Sequence, residues 1–312
     1  MTLVQLEYVI ALDTYRNFLL AAEKCFVTQP TLSMQILKLE ESLGVKLFDR
    51  TRKPVVPTEI GIEIIEQSRT ILKESQKLKE IITTKQGEIN GELKIGIIPT
   101  LAPYLLPSVI SGFTESYPNV QLHIWEYTTE EILQQLKLGL LDCGILSTPV
   151  NDRSIIETPL FYETFVLYIY KSSILLNKKA LEAEDINPED LWLLNDENCM
   201  RNQVLNICGL KKESPYKQFK YNTGSVESLR RMVDMNKGVT VLPELAVSDF
   251  SPLQLQQIRP FKSPKPTREI SMVTHRNFLK RSLIATLEKE ILKMIPDEMK
   301  SNNDKEVIKI YN

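Results

Sequence analysis

The first 58 residues carry apolar side chains at helical spacing in three consecutive stretches. The three sets are Leu3, Leu6, Val9 and Ile10; Phe18, Ala21, Ala22 and Cys25; and Leu32, Ile36, Leu39, Leu43 and Leu47. Recurrence at every third or fourth position predicts three short helices, and Gly44 is a suitable end for the third. Pro54 and Pro57 then favour an extended ribbon or turn over residues 50–58, because proline interrupts a helix.

A longer polar stretch, from Glu59 to about Lys85, carries a narrower apolar stripe. The stripe consists of Ile60, Ile64, Ile65, Ile71, Leu72, Leu78, Ile81 and Ile82. Its near-heptad spacing between charged faces predicts one long amphipathic helix. The stripe either packs onto the N-terminal unit or joins two copies of the chain, and we favour the second interpretation.

After QGEING, residues 86–91, short strand-like runs alternate with helical stretches. The runs are ELKIGII, QLHIWEY, CGILST, FVLYIY and GVTVLP. Alternation of this kind predicts parallel sheets and an α/β fold. A last helix over 280–295 precedes a charged tail, which we expect to be frayed from about Asp297 onward.

Composition narrows the class of protein. With 312 residues, 43% hydrophobic and 25% charged, the chain has the balance of a soluble protein of two or three domains. It has no apolar run of about 18 residues and no signal-peptide pattern at its start, so we expect a cytoplasmic protein. Four cysteines without CxxC spacing, and two distant histidines (His123 and His275), argue against a metal site. No catalytic set or phosphate loop indicates an enzyme or a cofactor.

Residues 21–50 are typical of a helix, a tight turn and a second helix that begins near Thr28. The net charge of the chain is −2, yet residues 28–54 contain five Lys/Arg and three Asp/Glu, a local balance of +2. Short hydroxyl and amide side chains on that helix suit base edges and phosphates. The candidate DNA-binding residues, including the cations of the ribbon, are Thr28, Gln29, Pro30, Thr31, Ser33, Gln35, Lys38, Arg50, Arg52 and Lys53.

The segment AAEKCFVTQPTLSMQILKLEESLGVKLFDR resembles the winged helix-turn-helix of LysR-type transcriptional regulators, with TQPTLS, LE, LG and LF-R in that family's positions. A proline-bearing wing, a linker helix and an α/β effector domain follow in the family's order. The resemblance implies a homodimer joined through the linker helices, paired into a homotetramer, that binds promoter DNA and contacts RNA polymerase.

The resemblance also implies a division of the chain. We expect a winged helix-turn-helix domain over 1–58, a linker helix and hinge over 59–90, and a regulatory domain over 91–312. The regulatory domain would have two subdomains like a periplasmic binding protein, with a ligand cleft between them. Their expected bounds are about 91–163 with 268–300, and about 164–267.

Cys199 and Cys208 lie nine positions apart in a segment that is predicted to be helical. Nine residues of helix separate them by about 13 Å, whereas a disulfide needs Cα atoms within roughly 4.4–6.8 Å. They are therefore either idle core thiols or a pair that bonds only when the helix unwinds. Near a helix N-terminus, and with Arg201 close by, Cys199 is expected to have a lowered pKa. Cys208 is expected to be a buried resolving thiol.

The segment N-C-M-R-N-Q…I-C, together with IPTLAPYLLP and TTEEILQQLKLGLLDCGIL, resembles the hydrogen-peroxide sensors of the LysR type. The resemblance implies a redox-active Cys199–Cys208 disulfide and activation of oxidative-stress genes. It implies resetting by a thiol reductant of the glutaredoxin or thioredoxin type. Many such sensors have His and Asp where this chain has Asn198 and Asn202. The implied peroxide pocket is lined by Thr100, Thr129, Gln203 and Arg268.

Two other functions remain open from the sequence. One is a LysR-type regulator that binds a metabolite in the cleft and has inert cysteines. The other is a thiol peroxidase that turns over peroxide at Cys199. Cys25 and Cys143 are interpreted as core thiols, and Trp125 as a packing residue.

Overall fold

The computed structural model describes residues 1–85, 89–210, 222–303 and 305–310. The chain divides into two compact units: Met1–Glu88 with Asn277–Leu279, and Ile89–Arg276 with Lys280–Asn312. In these described ranges, no helix is both long and apolar enough to cross a membrane.

The first unit is a helical bundle with a two-stranded ribbon. Its elements are α1 (Leu3–Tyr15), α2 (Phe18–Lys24), α3 (Gln29–Leu43), β1 (Phe48–Asp49), β2 (Val56–Pro57) and α4 (Glu59–Lys85). The three predicted short helices, the ribbon and the long helix are confirmed. Gly44 ends α3 in the left-handed conformation, with φ of 71°. A residue without Cβ adopts that conformation at little cost, which explains why the sequence pattern stops there.

The core of the first unit is formed by the predicted apolar faces. Leu32, Ile36 and Leu39 of α3 are fully buried against α1 and α2. The first half of α4 joins this core through Ile64, Ile65, Ile71 and Leu72, so that part of the stripe packs onto the N-terminal unit. Ile60 and Leu78 are exposed, and the side chains of Ile81 and Ile82 lie outside the described residues. A dimer through this helix stays a prediction.

The second unit is α/β. Its helices are α5 (Ala102–Ser116), α6 (Thr129–Leu138), α7 (Cys199–Ile207), α8 (Val226–Asn236), α9 (Pro252–Leu255) and α10 (Arg281–Met294). Its strands are β3 (Gly91–Ile97), β4 (Val120–Glu126), β5 (Cys143–Thr148), β6 (Ile155–Ile169), β7 (Leu191–Trp192), β8 (Val239–Pro243), β9 (Ile258–Pro260), β10 (Lys265–His275) and β11 (Lys305–Val307). All five strand-like runs are strands, although FVLYIY is only the second part of β6.

The strands form one continuous mixed sheet in the order β4-β3-β5-β10-β6-β8-β7, with β11 beside β10 and β9 beside β6. β3 is parallel to β4 and β5, and β7 is parallel to β8. The two longest strands are antiparallel to each other and to their other main neighbours, β5 and β8. The expectation of parallel sheets is therefore wrong for the centre. That antiparallel register places Arg268 of β10 directly beside Glu163 of β6.

The charged C-terminal tail is ordered over 305–310, so the expectation of fraying is wrong there. β11 runs parallel to the beginning of β10, and the Ile308 N–H donates to the Thr267 carbonyl at 2.8 Å. Lys305 Nζ donates to the carbonyls of Glu298 and Ser301 at 2.7 and 2.9 Å. Ile310 is buried. Apolar residues between the charges give the tail a face to bury, which net composition does not reveal.

Candidate functional site

Cys199 and Cys208 lie at the two ends of one short helix. α7 begins at Cys199, and Asn198 caps it because the Asn198 side-chain oxygen accepts from the Met200 N–H at 3.1 Å. Cys208 is the C-cap residue, so the predicted helix between the thiols is confirmed. All four cysteines are free thiols. A Cys199–Cys208 bond therefore requires α7 to unwind, since its length separates the ends by about 13 Å.

The environment of Cys199 is buried and partly polar. Burial raises the pKa of the Cys199 thiol above its ordinary value. The Thr129 side chain, the Arg268 charge and the Met200 N–H each lower that pKa, but they do not outweigh burial. The prediction of a lowered pKa is therefore wrong for this reduced protein. Arg201 does not supply the charge, because its guanidinium pairs with Asp196 at 2.8 Å and donates to the Leu194 carbonyl at 2.9 Å.

The other thiols differ from Cys199. Cys208, expected to be a buried thiol, is half-buried and packs at the edge of the core around β6 and β8. Burial raises the pKa of Cys208 to about 11. Cys143 is fully buried in β5, and burial raises its pKa strongly. Cys25 is half-buried at the end of α2, and burial, followed by the Glu7 charge, raises its pKa. Both of the last two thiols pack with core residues.

Trp125 is not a core residue. It is 38% exposed on β4, an edge strand of the sheet. Its indole stacks on the exposed His123 ring, with centroids 6.1 Å apart. The interpretation of Trp125 as a packing residue stays a prediction, and the packing seen here is the stack with His123 on the surface.

A fully buried ion pair lies close to the Cys199 site. The Arg268 guanidinium donates to one oxygen of Glu163 through Nε at 2.8 Å and lies 2.7 Å from it through Nη2. The other Glu163 oxygen accepts from the Leu245 N–H at 2.8 Å. Arg268 also donates to the Thr100 hydroxyl at 2.9 Å and to the Thr100 carbonyl at 3.2 Å. Thr100 and Arg268 are thus held together in the interior, as a shared pocket requires.

Gln203 lies one turn after Cys199 on the same face of α7 and is fully buried. Its amide nitrogen donates to the Ser147 hydroxyl at 3.2 Å and to the Ile308 carbonyl at 3.1 Å. Its amide oxygen has no hydrogen-bond partner, and neither does the buried hydroxyl of Thr129 at the start of α6. Thr129 nevertheless lies near enough to Cys199 to affect its pKa, without standard hydrogen-bond geometry. In the part of the chain that the structure describes, these are the two buried side-chain polar atoms without a partner.

The predicted pocket residues therefore belong to four elements: the loop after β3, and α6, α7 and β10. Sequence reasoning missed Glu163 and Ser147, which fix the side chains of Arg268 and Gln203. A carboxylate inside the apolar strand FYETFVLYIY was a sign for Glu163, because a buried charge needs a partner. No comparable feature of the sequence indicated that Ser147 would contact Gln203. Over the described ranges, no cluster of three His, Cys, Asp or Glu side chains could hold a metal ion.

The proposed DNA-reading helix begins as predicted. Thr28 caps α3, accepting from the Thr31 N–H at 3.4 Å, and Pro30 lies in the first turn. Exposed members of the predicted set are Thr28, Gln29, Pro30, Lys38, Arg50, Arg52 and Lys53. Half-buried members are Thr31, Ser33 and Gln35. The Gln35 amide oxygen accepts from the Gln5 amide at 3.2 Å, so this residue also contributes to the bundle.

Arg50 is tied to the bundle. Its guanidinium lies 3.1 Å from the buried carboxylate of Glu40 and donates to the Ser33 hydroxyl at 3.3 Å. Glu40 in turn accepts from the Leu47 N–H at 2.8 Å. Arg52 pairs with Asp49 at 3.3 Å, while Lys53 is exposed at the tip of the ribbon. Arg50 therefore joins α3 to the ribbon, and Lys53 is the better placed cation for a phosphate.

Two family models match the chain. Residues 3–62 match the bacterial regulatory helix-turn-helix of the lysR family, and residues 86–294 match the LysR substrate binding domain. The chain belongs to the LysR family of bacterial regulators.

Within this family the chain is similar to OxyR proteins. It is 36% identical to the hydrogen peroxide-inducible genes activator of Haemophilus influenzae, over 96% of this chain and 98% of that protein. It is 37% identical to the DNA-binding transcriptional dual regulator OxyR of Escherichia coli K12, over 88% and 89%. Full-length OxyR of Pseudomonas aeruginosa, a cysteine-to-aspartate variant, matches with TM-score 0.78 and 31% identity, over 94% and 98%. A peroxide-bound mutant of OxyR from Corynebacterium glutamicum matches with TM-score 0.58 and 26% identity, over 94% and 93%.

Proposed function

We propose that this LysR-type regulator senses hydrogen peroxide through Cys199, forms a reversible Cys199–Cys208 disulfide and then activates oxidative-stress genes. The relatives named as hydrogen peroxide-inducible genes activators, and the OxyR structures, support this proposal. A metabolite regulator with inert cysteines is not favoured, because no observation of the site requires a larger ligand.

The observation that carries the proposal is a pair of buried polar atoms without partners, one on Thr129, which acts on the Cys199 thiol, and one on Gln203, one turn after Cys199 in α7. Buried polar groups are almost always hydrogen-bonded, so each exception needs an explanation. Here the Gln203 oxygen offers an acceptor, and the Thr129 hydroxyl offers a donor or an acceptor. Hydrogen peroxide is small, and each of its oxygens can both donate and accept. A peroxide molecule bound between these groups would satisfy both and lie next to the Cys199 sulfur.

The chemistry then follows from the charges. The Cys199 sulfur attacks one peroxide oxygen, the O–O bond breaks, and hydroxide leaves and takes the thiol proton to give water. Arg268 and the hydroxyls of Thr100 and Thr129 stabilise the negative charge on the leaving oxygen. Because burial favours the neutral thiol, these groups act against desolvation rather than on an already acidic cysteine.

The second step joins the two ends of α7. The Cys208 sulfur displaces the hydroxyl of the Cys199 sulfenic acid, giving the disulfide and a second water. Two thiols and one peroxide thus become one disulfide and two waters. Because the thiols flank the helix, the bond forms only if α7 unwinds and Met200 and Val204 leave the adjacent core. Repacking of this segment is the step that we expect to alter DNA binding.

The remaining partners follow from the family. We propose a dimer through α4, pairing into a homotetramer, on promoter DNA with RNA polymerase, in the cytoplasm. A glutaredoxin- or thioredoxin-type reductant would restore the thiols. We also propose two subdomains, about 91–163 with 268–300 and about 164–267, with the peroxide site between them. The chain belongs to a family of bacterial regulators, and we propose that it acts as a regulator and not as an enzyme.

The test is thiol mapping of the full-length protein. Reduced protein receives peroxide near stoichiometry under anaerobic conditions, followed by alkylation and mass spectrometry. We expect a Cys199–Cys208 peptide pair within seconds, with Cys143 and Cys25 still reduced because neither has the polar pocket. The footprint on promoter DNA should change at the same time.

Three variants provide the controls. Cys199→Ser should abolish both the disulfide and the change in footprint, whereas Cys25→Ser should leave both intact. Cys208→Ser should stop at the sulfenic acid. A peroxide-dependent footprint that persists in Cys199→Ser protein would show the mechanism to be wrong.

A further inference from the structure

The C-terminal segment 305–310 lies against the proposed peroxide site. β11 extends the sheet beside the first residues of β10, and Val307 is paired with Thr267, the residue before Arg268. The Ile308 N–H donates to the Thr267 carbonyl at 2.8 Å, and Ile310 is buried. The main chain of the tail is therefore paired one residue away from Arg268, whose charge acts on Cys199.

Two side chains of α7 bind the main chain of this segment. The Gln203 amide nitrogen donates to the Ile308 carbonyl at 3.1 Å, and the Asn206 amide nitrogen donates to the Lys309 carbonyl at 3.0 Å. The first of these bonds concerns a side chain of the pocket. Its nitrogen also donates to the Ser147 hydroxyl at 3.2 Å, so both of its N–H groups are used.

These two partners do not constrain the amide equally. A serine hydroxyl can donate or accept, so Ser147 would tolerate either end of the Gln203 amide. A carbonyl can only accept, so Ile308 requires the nitrogen end. The Ile308 carbonyl alone therefore decides that the oxygen of Gln203 is left as the free, buried acceptor.

We propose that segment 305–310 is a positioning element for the peroxide reaction, because its Ile308 carbonyl holds Gln203 with the amide oxygen toward the substrate. This inference rests on the proposed function of Cys199. Without the segment the amide can turn, and its N–H groups then face a peroxide O–H that needs an acceptor. The alternative is that the tail only stabilises the fold.

The experiment measures the first oxidation step in a Cys208→Ser background, where the sulfenic acid at Cys199 is the product. A chain ending at residue 304 is compared with a control ending at residue 310. Lys309→Ala is a second control, since it removes an exposed side chain and keeps the backbone carbonyl. We expect the rate constant with hydrogen peroxide to fall about tenfold in the shorter chain, the effect of losing one aligned hydrogen bond, and to stay unchanged in both controls.

Alkylation of Cys199 by iodoacetamide distinguishes a lost orientation of the Gln203 amide from a general loosening of the fold around Cys199. That reaction responds to exposure and thiolate fraction but needs no acceptor from Gln203. We expect its rate to be unchanged in the shorter chain, and a peptide of residues 305–312 added in trans to restore the peroxide rate. Equal changes in both rates, or no change in either, would overturn the inference.

Variants of the full-length chain keep the test valid if the shorter chain folds poorly. Gln203→Ala removes the acceptor oxygen itself, so its peroxide rate should fall about as much as that of the truncated chain. Ser147→Ala should have a smaller effect, because Ile308 still sets the amide. In a Gln203→Ala background the truncation should have no further effect on the peroxide rate.

The two proposals fail in different ways. If the longer chain forms no sulfenic acid at Cys199, the proposed function is wrong. If the longer chain reacts and the full-length Gln203→Ala protein reacts equally fast, only the positioning inference is wrong.

Discussion

The buried ion pair between Arg268 and Glu163 allows a quantitative test of the interior. Both side chains are fully buried, and every oxygen of Glu163 accepts from a fixed donor. Replacing Glu163 by Gln removes the negative charge and leaves the guanidinium buried without its counter-charge. Loss of one partner from such a pair costs about 3–5 kcal/mol. Because Gln keeps one acceptor oxygen, we expect about 3 kcal/mol for Glu163→Gln.

Urea unfolding followed by tryptophan fluorescence is the suitable assay. The chain has two tryptophans, Trp125 and Trp192, and both lie in the second unit, so the signal reports that unit alone. With a slope of about 3 kcal/mol per molar urea, the loss lowers the midpoint by about 1 M.

Glu182→Gln is the matched control for this substitution. It breaks an exposed pair with Lys262, 2.9 Å apart, in the same unit, and exposed pairs contribute only about 0–1 kcal/mol. Replacing both members of the buried pair, as Glu163→Leu with Arg268→Met, should cost less than Glu163→Gln alone. Equal midpoints for Glu163→Gln and Glu182→Gln would refute this account of the interior.

Three further outcomes are expected. The rate of Cys199 oxidation should rise roughly tenfold per pH unit between about pH 6 and 8. Burial holds the pKa of Cys199 above its ordinary value, so the thiolate fraction still increases with pH over this range. A stopped-flow rate that does not change with pH below pH 7 would contradict this. Lys53→Ala should reduce the salt dependence of DNA binding by about 0.9 in log–log slope for each subunit whose ribbon contacts a phosphate, without lowering thermal stability. Arg50→Ala should also lower the melting temperature of the first unit, since Arg50 pairs with Glu40. In Cys208→Ser protein, dimedone should label Cys199 persistently after peroxide, and a disulfide with another thiol would argue against Cys208 as partner.

Much of the fold was accessible from local patterns. The spacing of Leu32, Ile36 and Leu39 and the following Gly44 defined α3, because a helix buries one face and needs a residue for its left-handed end. The long helix was predicted with the bounds that it has, Glu59–Lys85. These features depend on neighbours within a few residues, which a single sequence displays directly.

The direction of strand pairing was not accessible in the same way. β6 and β10 pair antiparallel although Arg268 and Glu163 are 105 positions apart in the sequence. Alternation of strands and helices predicts parallel neighbours, and it does so correctly for β3, β4 and β5. The prediction fails where the chain leaves one part of the sheet and a later strand returns to it. Nothing in the local sequence marks that return. The ordered tail was missed for the same reason.

The local sequence motif around Cys199 was not sufficient to predict the pKa of its thiol. Its place at the first residue of α7 was predictable, and a helix N-terminus does favour the thiolate. The pKa is nevertheless raised, because burial is produced by elements distant in the chain. The charge that opposes burial comes from Arg268, not from the adjacent Arg201, whose guanidinium is engaged by Asp196. Proximity in sequence was a poor guide to proximity in space.

The shortness of α7 connects this fold to a reversible switch. A nine-residue helix has little stability of its own, so burial of Met200 and Val204 must hold it in place. Exposing two such side chains costs about 3–6 kcal/mol, at about 1.5–3 kcal/mol each. On the proposed mechanism the disulfide must meet that cost, which makes it more oxidising by about 60–130 mV than an unstrained bond. A disulfide of that kind forms only with a strong oxidant such as peroxide and is readily reduced again by cellular thiols, whereas a longer helix with a larger buried face would resist opening altogether.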